Sequence, residues 1–538
     1  MKLAIRIRVI ALGVVVLGVY LAHAGLFWSQ INDDAFITWR FSKFLTLGRG
    51  PFFNVGEHVE GYTNFSLMLA MAGVIRLLGD DAVLIAGRVG GVASGVAALG
   101  FTWALAARWL RHESTLRAHA ASLAWLAPAL AAISPSLALN STTGLETSLF
   151  AAAVLCGLWL LQWSDDRNHW RGTGIAYAAA CLTRPEGAPV FAATFLGRLI
   201  RGDWRRTGPR RRLLLDAAIV AGTVAVHLLL RMWLYDGELV PNTYFAKRGG
   251  FQNVSPAAYV LSFVAVHLAF IGFVTPFGAL LAPRLRRVTL PAMMLMPYSV
   301  WAIFAAGADW MPGARMFAPF VPIWGALTLA SVAAVVRRQR RSAAGLAAIT
   351  ATVFVCVMGW WQLETLPTYL GHVWTRAIGY RDGHMRLADW LRERARPGDT
   401  IALMDIGIVG YLCIDQNVLD ITGLTDRHIA KSPGCFLDKQ FDVSYVFDRK
   451  PRFIVLAMAG PDARYWDGKV DKLDHYSGIE SRIARHVEFA AHYRRVRNVA
   501  ADATPLERLA AELGAQRVFR HEHPGQVYLL AAFERDSQ

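Results

Sequence analysis

Long apolar runs recur from Val9 to Trp361, separated by short polar or basic stretches. An α-helix rises about 1.5 Å per residue, so about 20 apolar residues cross a hydrocarbon core of about 30 Å. The pattern predicts a polytopic α-helical membrane protein of about 11 spans. These lie near 9–28, 82–107, 119–136, 147–163, 172–183, 188–200, 213–232, 257–282, 289–306, 317–336 and 343–361. The runs 172–183 and 188–200 are short for a full crossing, which predicts helices broken around Pro185. A further run, 65–78, is also short and carries Arg76, and is expected to lie on the outer surface as a juxtamembrane helix.

After about Thr365 the apolar runs shorten among Asp, Arg and His. "HMRLADWLRERARPGDTIALMDIGIVGYL" predicts an amphipathic helix, a Pro-Gly-Asp turn and a buried strand. "NVLDITGLTD", "RFIVLAM" and "QVYLLAAF" predict further strands. The expected division is therefore a membrane domain over 1–361, with an outer loop over 29–65, and an α/β accessory domain over 362–538.

Charge fixes an expected orientation. Lys2, Arg6 and Arg8 precede the first span and place the N-terminus inside. That first run is long for a signal peptide, despite "AHA" at Ala22–Ala24, and predicts an uncleaved span. With 65–78 left out of the count, every basic cluster between spans falls inside, including "RLIRGDWRRTGPRRR". Five polar motifs fall outside: "NDDAFITWR", "TTGLETS", "TRPEG", "GELVPNTYFAK" and "GADWMPGARMF". A transporter or flippase would instead place ionisable groups near the midplane in broken helices. Motifs at the outer span ends point to chemistry at the outer surface, with a flippase or a non-catalytic scaffold as the rivals.

Composition agrees. Of 538 residues, 54% are hydrophobic and 18% charged, where soluble domains carry about a quarter charged. The net charge of +16 resides in the loop clusters, without an aromatic-interleaved basic patch, so nucleic acid is not an expected partner.

Among the outer motifs, Asp33 and Asp34 admit two readings. Asn32 or Asp33 can cap a helix over Ala35–Leu45, and two adjacent carboxylates can raise one pKa and supply a general base. The following loop, "GRGPFFNVGEHVEGYTNF", is rich in turn formers and long for a plain connection. Its Asn54, Glu57, Glu60, Tyr62 and Asn64 are types that hydrogen-bond or stack on sugars.

"DDAFITWRFSKFLTLGRGPFFNVGEHVEGYTNF" resembles the first outer loop of bacterial C-fold glycosyltransferases. It is most similar to the group related to the mycobacterial terminal arabinofuranosyltransferase. "TGLETSLF", "LTRPEG", "GELVPNTYFAK", "GADWMPGARMFAPFVP" and "LDITGLTDRHIA" also resemble that group's signatures, so the likeness runs over roughly 30–430. It implies an inner-membrane enzyme that inverts a sugar, arabinofuranose among the candidates, as it moves it from a polyprenyl-phosphate donor to a cell-envelope glycan or protein. An oligosaccharide ligase using a polyprenyl diphosphate is the alternative. Site and C-terminal domain would face the periplasm. The family's first-loop base falls on Asp33, with Asp34 second. Departing phosphate needs no acid, unlike glycoside hydrolysis with its two carboxylates.

The leaving phosphate then needs cations. Arg184 and Arg315 rank first, with Lys247 and Arg40 also available on the outer face. Glu146, Asp309 and Trp310 are candidates for sugar or acceptor contact. Asp33, Asp34 and Glu60 are hard oxygen ligands suited to Mg²⁺, Mn²⁺ or Ca²⁺, which leaves a divalent cation open. Cys413 and Cys435, both in the outer tail, are a candidate disulfide.

Overall fold

A computed structural model describes residues 2–114, 116–250, 255–266, 275–307, 309, 311, 313–336, 349, 353, 356–357, 359–361, 366, 369–370, 373, 378–462, 473–500 and 526–536. The chain divides into two compact units. One comprises Met1–Trp28, Arg88–Leu229 and Val254–Leu366; the other comprises Ser29–Gly87, Leu230–Asn253 and Pro367–Gln538.

The first unit is helical. Among the described residues, five helices are long and apolar enough to cross a membrane: Arg6–Leu26, Asp80–Leu110, Thr147–Arg167, Thr207–Leu234 and Pro283–Ala305. A sixth candidate is the pair Ala120–Ala132 and Pro135–Thr142, bent by 65°. Pro135 explains the break, since it cannot donate into the preceding turn. Thr173–Thr183 and Gly187–Ile200 are short helices on either side of Pro185, where the sequence predicts a break. Most of the expected span 343–361 and the middle of 257–282 lie outside the described residues. The basic clusters are partly ion-paired. Arg198, 1% exposed, bonds Asp216 at 2.7 Å and Asp203 at 3.4 Å, and Arg201 bonds Asp165 at 2.7 Å.

The second unit is built on a six-stranded sheet: β1 (Thr400–Leu403), β2 (Asn417–Asp420), β3 (Phe453–Asp462), β4 (Asp474–His475), β5 (Tyr493–Ala500) and β6 (Gln526–Arg535). Its order is β2-β1-β3-β6-β5, with β4 on β3. β1, β2 and β3 run parallel, while β6 lies antiparallel between β3 and β5. Near-continuous apolar strands such as "FIVLAMA" suit a sheet covered on both faces. Ile401, Leu403, Ile454, Leu456 and Leu530 form its core with Leu387 and Leu391 of the helix Ile378–Arg394.

The division expected at 361/362 is revised: the outer loop 29–65 belongs to the compact unit of the tail. The cause is visible in the helix Asp33–Thr46, ten of whose 14 residues are buried. Asp33 and Arg40 lie seven residues apart, on one face. Asp33 accepts the backbone N–H groups of Gly407 (2.8 Å) and Ile408 (2.7 Å), at the start of the helix Ile406–Leu412. Arg40 donates to the carbonyls at and beyond its end: Gly410, Cys413 (3.0 Å) and Gln416 (2.9 Å). An anion thus sits at that helix's N-terminus and a cation at its C-terminus, which is the favourable sense for its dipole.

Arg40 is therefore a structural cation and not, as expected, a phosphate ligand. It is fully buried, and all its nitrogens are spent on Phe53, Asn54 and these carbonyls. Arg40→Ala leaves several buried acceptors without a donor and should cost about 3–5 kcal/mol. The check is thermal unfolding of the detergent-purified chain; a midpoint equal to wild type contradicts the assignment.

Candidate functional site

Asn32 is the helix cap. Its backbone is extended and its side chain accepts the Asp34 N–H at 3.1 Å. Asn32, and not Asp33, therefore caps this helix. Both carboxylate oxygens of Asp33 are held by the tail backbone, and the residue is 7% exposed. Asp34 is only half-buried. Gly407 allows the close approach: a Cβ there would overlap the Asp33 carbonyl and carboxyl carbon. Asp33, the first expected base, is thus the aspartate held at a helix end, and Asp34 is the more exposed of the two.

Behind Asp33 lies a buried polar group that the motif reading missed. His384, fully buried, directs Nδ1 at the Tyr380 carbonyl (2.6 Å) and Nε2 at Asp405 Oδ2 (3.0 Å). Both ring nitrogens face acceptors, so both donate when the ring is an imidazolium. Tyr528 donates its hydroxyl to the same Asp405 oxygen at 2.7 Å. Burial opposes charge on His384, yet the hydrogen bond and charge of Asp405 outweigh it and raise the ring's pKa. Burial likewise pushes Asp405 up, but His384 and the tyrosine hydroxyls hold it below the usual carboxylate range. For Asp33 burial wins over the His384 charge and the two N–H donors, and its pKa is raised. Only one signal in the sequence pointed here, the Asp405-x-Gly407 step after a buried strand.

The sign of the pH effect follows. Asp33 and His384 both bind protons more tightly folded than unfolded. Their stabilisation is present below their ordinary values, 3.8 and 6.5, and is lost as pH rises through the raised ones. Asp405 works the other way, but only below about pH 4. The unfolding midpoint of the full chain should therefore fall from pH 5 to pH 8, and His384→Gln should flatten the upper part of that fall. A midpoint that rises over this range contradicts the assignment.

Most of the loop residues expected to bind sugar are structural. Asn54 accepts the Val418 N–H at 2.9 Å and donates to its carbonyl at 2.8 Å, closing the edge of β2. Glu60, 4% exposed, pairs with Arg231 at 2.5 Å. Tyr62 is buried with its hydroxyl 3.2 Å from that of Tyr235, and Asn64 accepts the Thr38 hydroxyl at 3.0 Å. The density of hydrogen-bonding types in this loop thus ties it to its own unit. Glu57 alone of the five is partly exposed. Lys247 lies in this unit too, its ammonium 5.9 Å over the Phe436 ring.

The remaining candidates meet in the first unit. Arg184, the extended residue ending the helix Thr173–Thr183, donates to Glu186 at 2.7 and 3.3 Å and lies 3.7 Å from Glu146. Among the described residues its Nη1 has no hydrogen-bond partner. Arg315 donates to Asp309 at 2.6 Å. Trp310 lies outside the described residues. Among the described residues no three His, Cys, Asp or Glu side chains are placed to hold a metal ion. The expected ligand set does not fit one either, since Asp33 accepts two N–H groups and Glu60 pairs with Arg231. Cys413 and Cys435 are both free thiols, with Cys413 buried against Ala388, so the expected disulfide is not formed.

Comparison with known proteins places this geometry. A family model described as a domain of unknown function (DUF8728) matches residues 373–518. The terminal β-(1→2)-arabinofuranosyltransferase of Mycobacterium tuberculosis is 29% identical over 299 residues, which are 50% of this chain and 43% of the relative. The match thus spans less than half of that relative's length. ArnT from Cupriavidus metallidurans, solved bound to undecaprenyl phosphate, superposes with a TM-score of 0.54 at 16% identity, over 84% of this chain and 93% of ArnT. The oligosaccharyltransferase AglB from Archaeoglobus fulgidus, solved with an inhibitory peptide and a dolichol-phosphate, gives 0.52 at 12% identity, over 97% and 88%. The chain has the C-fold architecture of these multi-pass membrane proteins.

Proposed function

We propose that this chain is a membrane glycosyltransferase that moves a sugar from a polyprenyl-phosphate carrier to an acceptor hydroxyl at the outer, periplasmic face. The observation that carries the reading is the anchored Asp33–Asp34 pair in a fold whose solved neighbours hold undecaprenyl phosphate and a dolichol-phosphate. The likeness of half the chain to an arabinofuranosyltransferase makes a pentofuranose the first sugar to test.

Each part has a role in the reading. Asp34, half-buried at the first turn of its helix, takes the proton of the acceptor hydroxyl. Asp33 is the positioning residue that fixes this turn. The acceptor oxygen attacks the anomeric carbon as the bond to the carrier phosphate breaks, and the configuration inverts. The phosphate leaves as an anion, so a second carboxylate acting as acid is unnecessary. Within the first unit, Arg184 and Arg315 are the cations the reading offers to a phosphate, each paired with a carboxylate, Glu186 and Asp309, that a phosphate would have to displace.

Asp34→Asn should lower transfer of radiolabelled sugar about 10²–10⁴-fold with an unchanged unfolding midpoint. Asp33→Asn should lower both, because an amide N–H₂ would face the Gly407 or Ile408 N–H and one buried donor would lose its acceptor. Full transfer by Asp34→Asn would remove it as the base. A reporter fused at Arg210 should score as cytoplasmic, and an external signal would overturn the orientation.

A further inference from the structure

The second unit carries a cavity of about 660 Å³ that no part of this mechanism uses. Its volume lies within the range of about 300–1,000 Å³ typical of small-molecule sites. It is lined by the tip of the first loop, with Glu57 and His58, and by Asp426, Arg427, His428 and Lys431 together with Tyr445 and Arg449.

The charges lining it cancel. Three carboxylates (Glu57, Asp236, Asp426) face three cations (Arg427, Lys431, Arg449). They are also paired off: His58 with Asp236 at 3.2 Å, Arg427 with Asp236 at 3.4 Å, and Arg449 with Glu57 at 3.4 Å. Lys431 bonds Glu238 at 2.6 Å. Such a lining has no net field to select an anion or a cation, which disfavours a phosphate or a charged peptide. It does offer many donors and acceptors, and exposed pairs hold little energy, so they can exchange partners with a ligand hydroxyl.

Two ring surfaces border the cavity, each backed by a second ring. His58 stacks on Phe52 with centroids 4.5 Å apart and planes 11° apart. Tyr445 stacks on His428 at 4.3 Å. The Tyr445 hydroxyl is fixed as well, donating to Asp426 at 2.8 Å and accepting from Arg449 at 2.6 Å. Stacked rings beside paired polar groups suit a ligand with apolar C–H faces and many hydroxyls.

We infer that this cavity binds a neutral oligosaccharide, the acceptor glycan of the transfer reaction. The inference rests on the proposed function for the word acceptor, but its test is separate. Saturation-transfer NMR on the full chain in nanodiscs would use a panel of neutral pentose and hexose oligosaccharides. Inorganic phosphate and an acidic peptide serve as competitors. At least one neutral oligosaccharide should bind, and the competitors should not displace it. Arg449→Ala and Glu57→Gln, both surface changes, should each weaken binding at least tenfold without moving the unfolding midpoint. Asp34→Asn should leave binding at the wild-type level. The inference is overturned if no neutral oligosaccharide binds at millimolar concentration, if phosphate displaces it, or if both cavity variants bind as wild type does. Glycan binding without any transfer by the wild-type chain would sink the proposed function and leave the cavity standing.

Discussion

The first loop joins the second unit through one short helix, Ile406–Leu412, that is held at both ends by one longer helix, Asp33–Thr46. The seven-residue spacing of Asp33 and Arg40 puts a carboxylate against its first N–H groups and a guanidinium against its last carbonyls. Charge-assisted bonds of this kind are worth about 1.5–3 kcal/mol each. Neither group can be removed without stranding its buried partners. Loop and tail, more than 350 residues apart in sequence, therefore fold as one piece.

This constraint changes the meaning of the first loop. Its polar residues look like a sugar site when read alone. Most of them are the fastening of a domain: Asn54 on β2, Glu60 on Arg231, Tyr62 on Tyr235. The fastening has a functional consequence. A base must be held to a fraction of an ångström to act, and rigid backbone contacts do this better than mobile side chains. By fixing Asp33, the tail fixes the turn that carries Asp34. On the proposed function, the tail is thus part of the support of the loop that carries the base.

Much of the architecture was legible in the sequence, because hydrophobic periodicity survives in any membrane protein. The breaks at Pro185 and the helix and first strands of the tail fall where the pattern put them. Side-chain roles were less legible, for a physical reason. A buried arginine satisfied by carbonyls and one paired with carboxylates have the same letter. Arg40 and Arg184 are both buried and differ in their partners, the carbonyls of Gly410 to Gln416 for one, the carboxylates of Glu146 and Glu186 for the other. His384 was invisible for the same reason, since its partner Asp405 lies one strand further along the chain.

The account's central claim is a single displacement at the anomeric carbon by an acceptor activated by one carboxylate. The most direct measurement is the anomeric configuration of the product, read by NMR after the wild-type chain in proteoliposomes acts on a polyprenyl-phosphate sugar of known configuration. The account predicts a product of inverted configuration and release of the polyprenyl phosphate. A product of retained configuration would require a covalent intermediate on a second carboxylate and would contradict it.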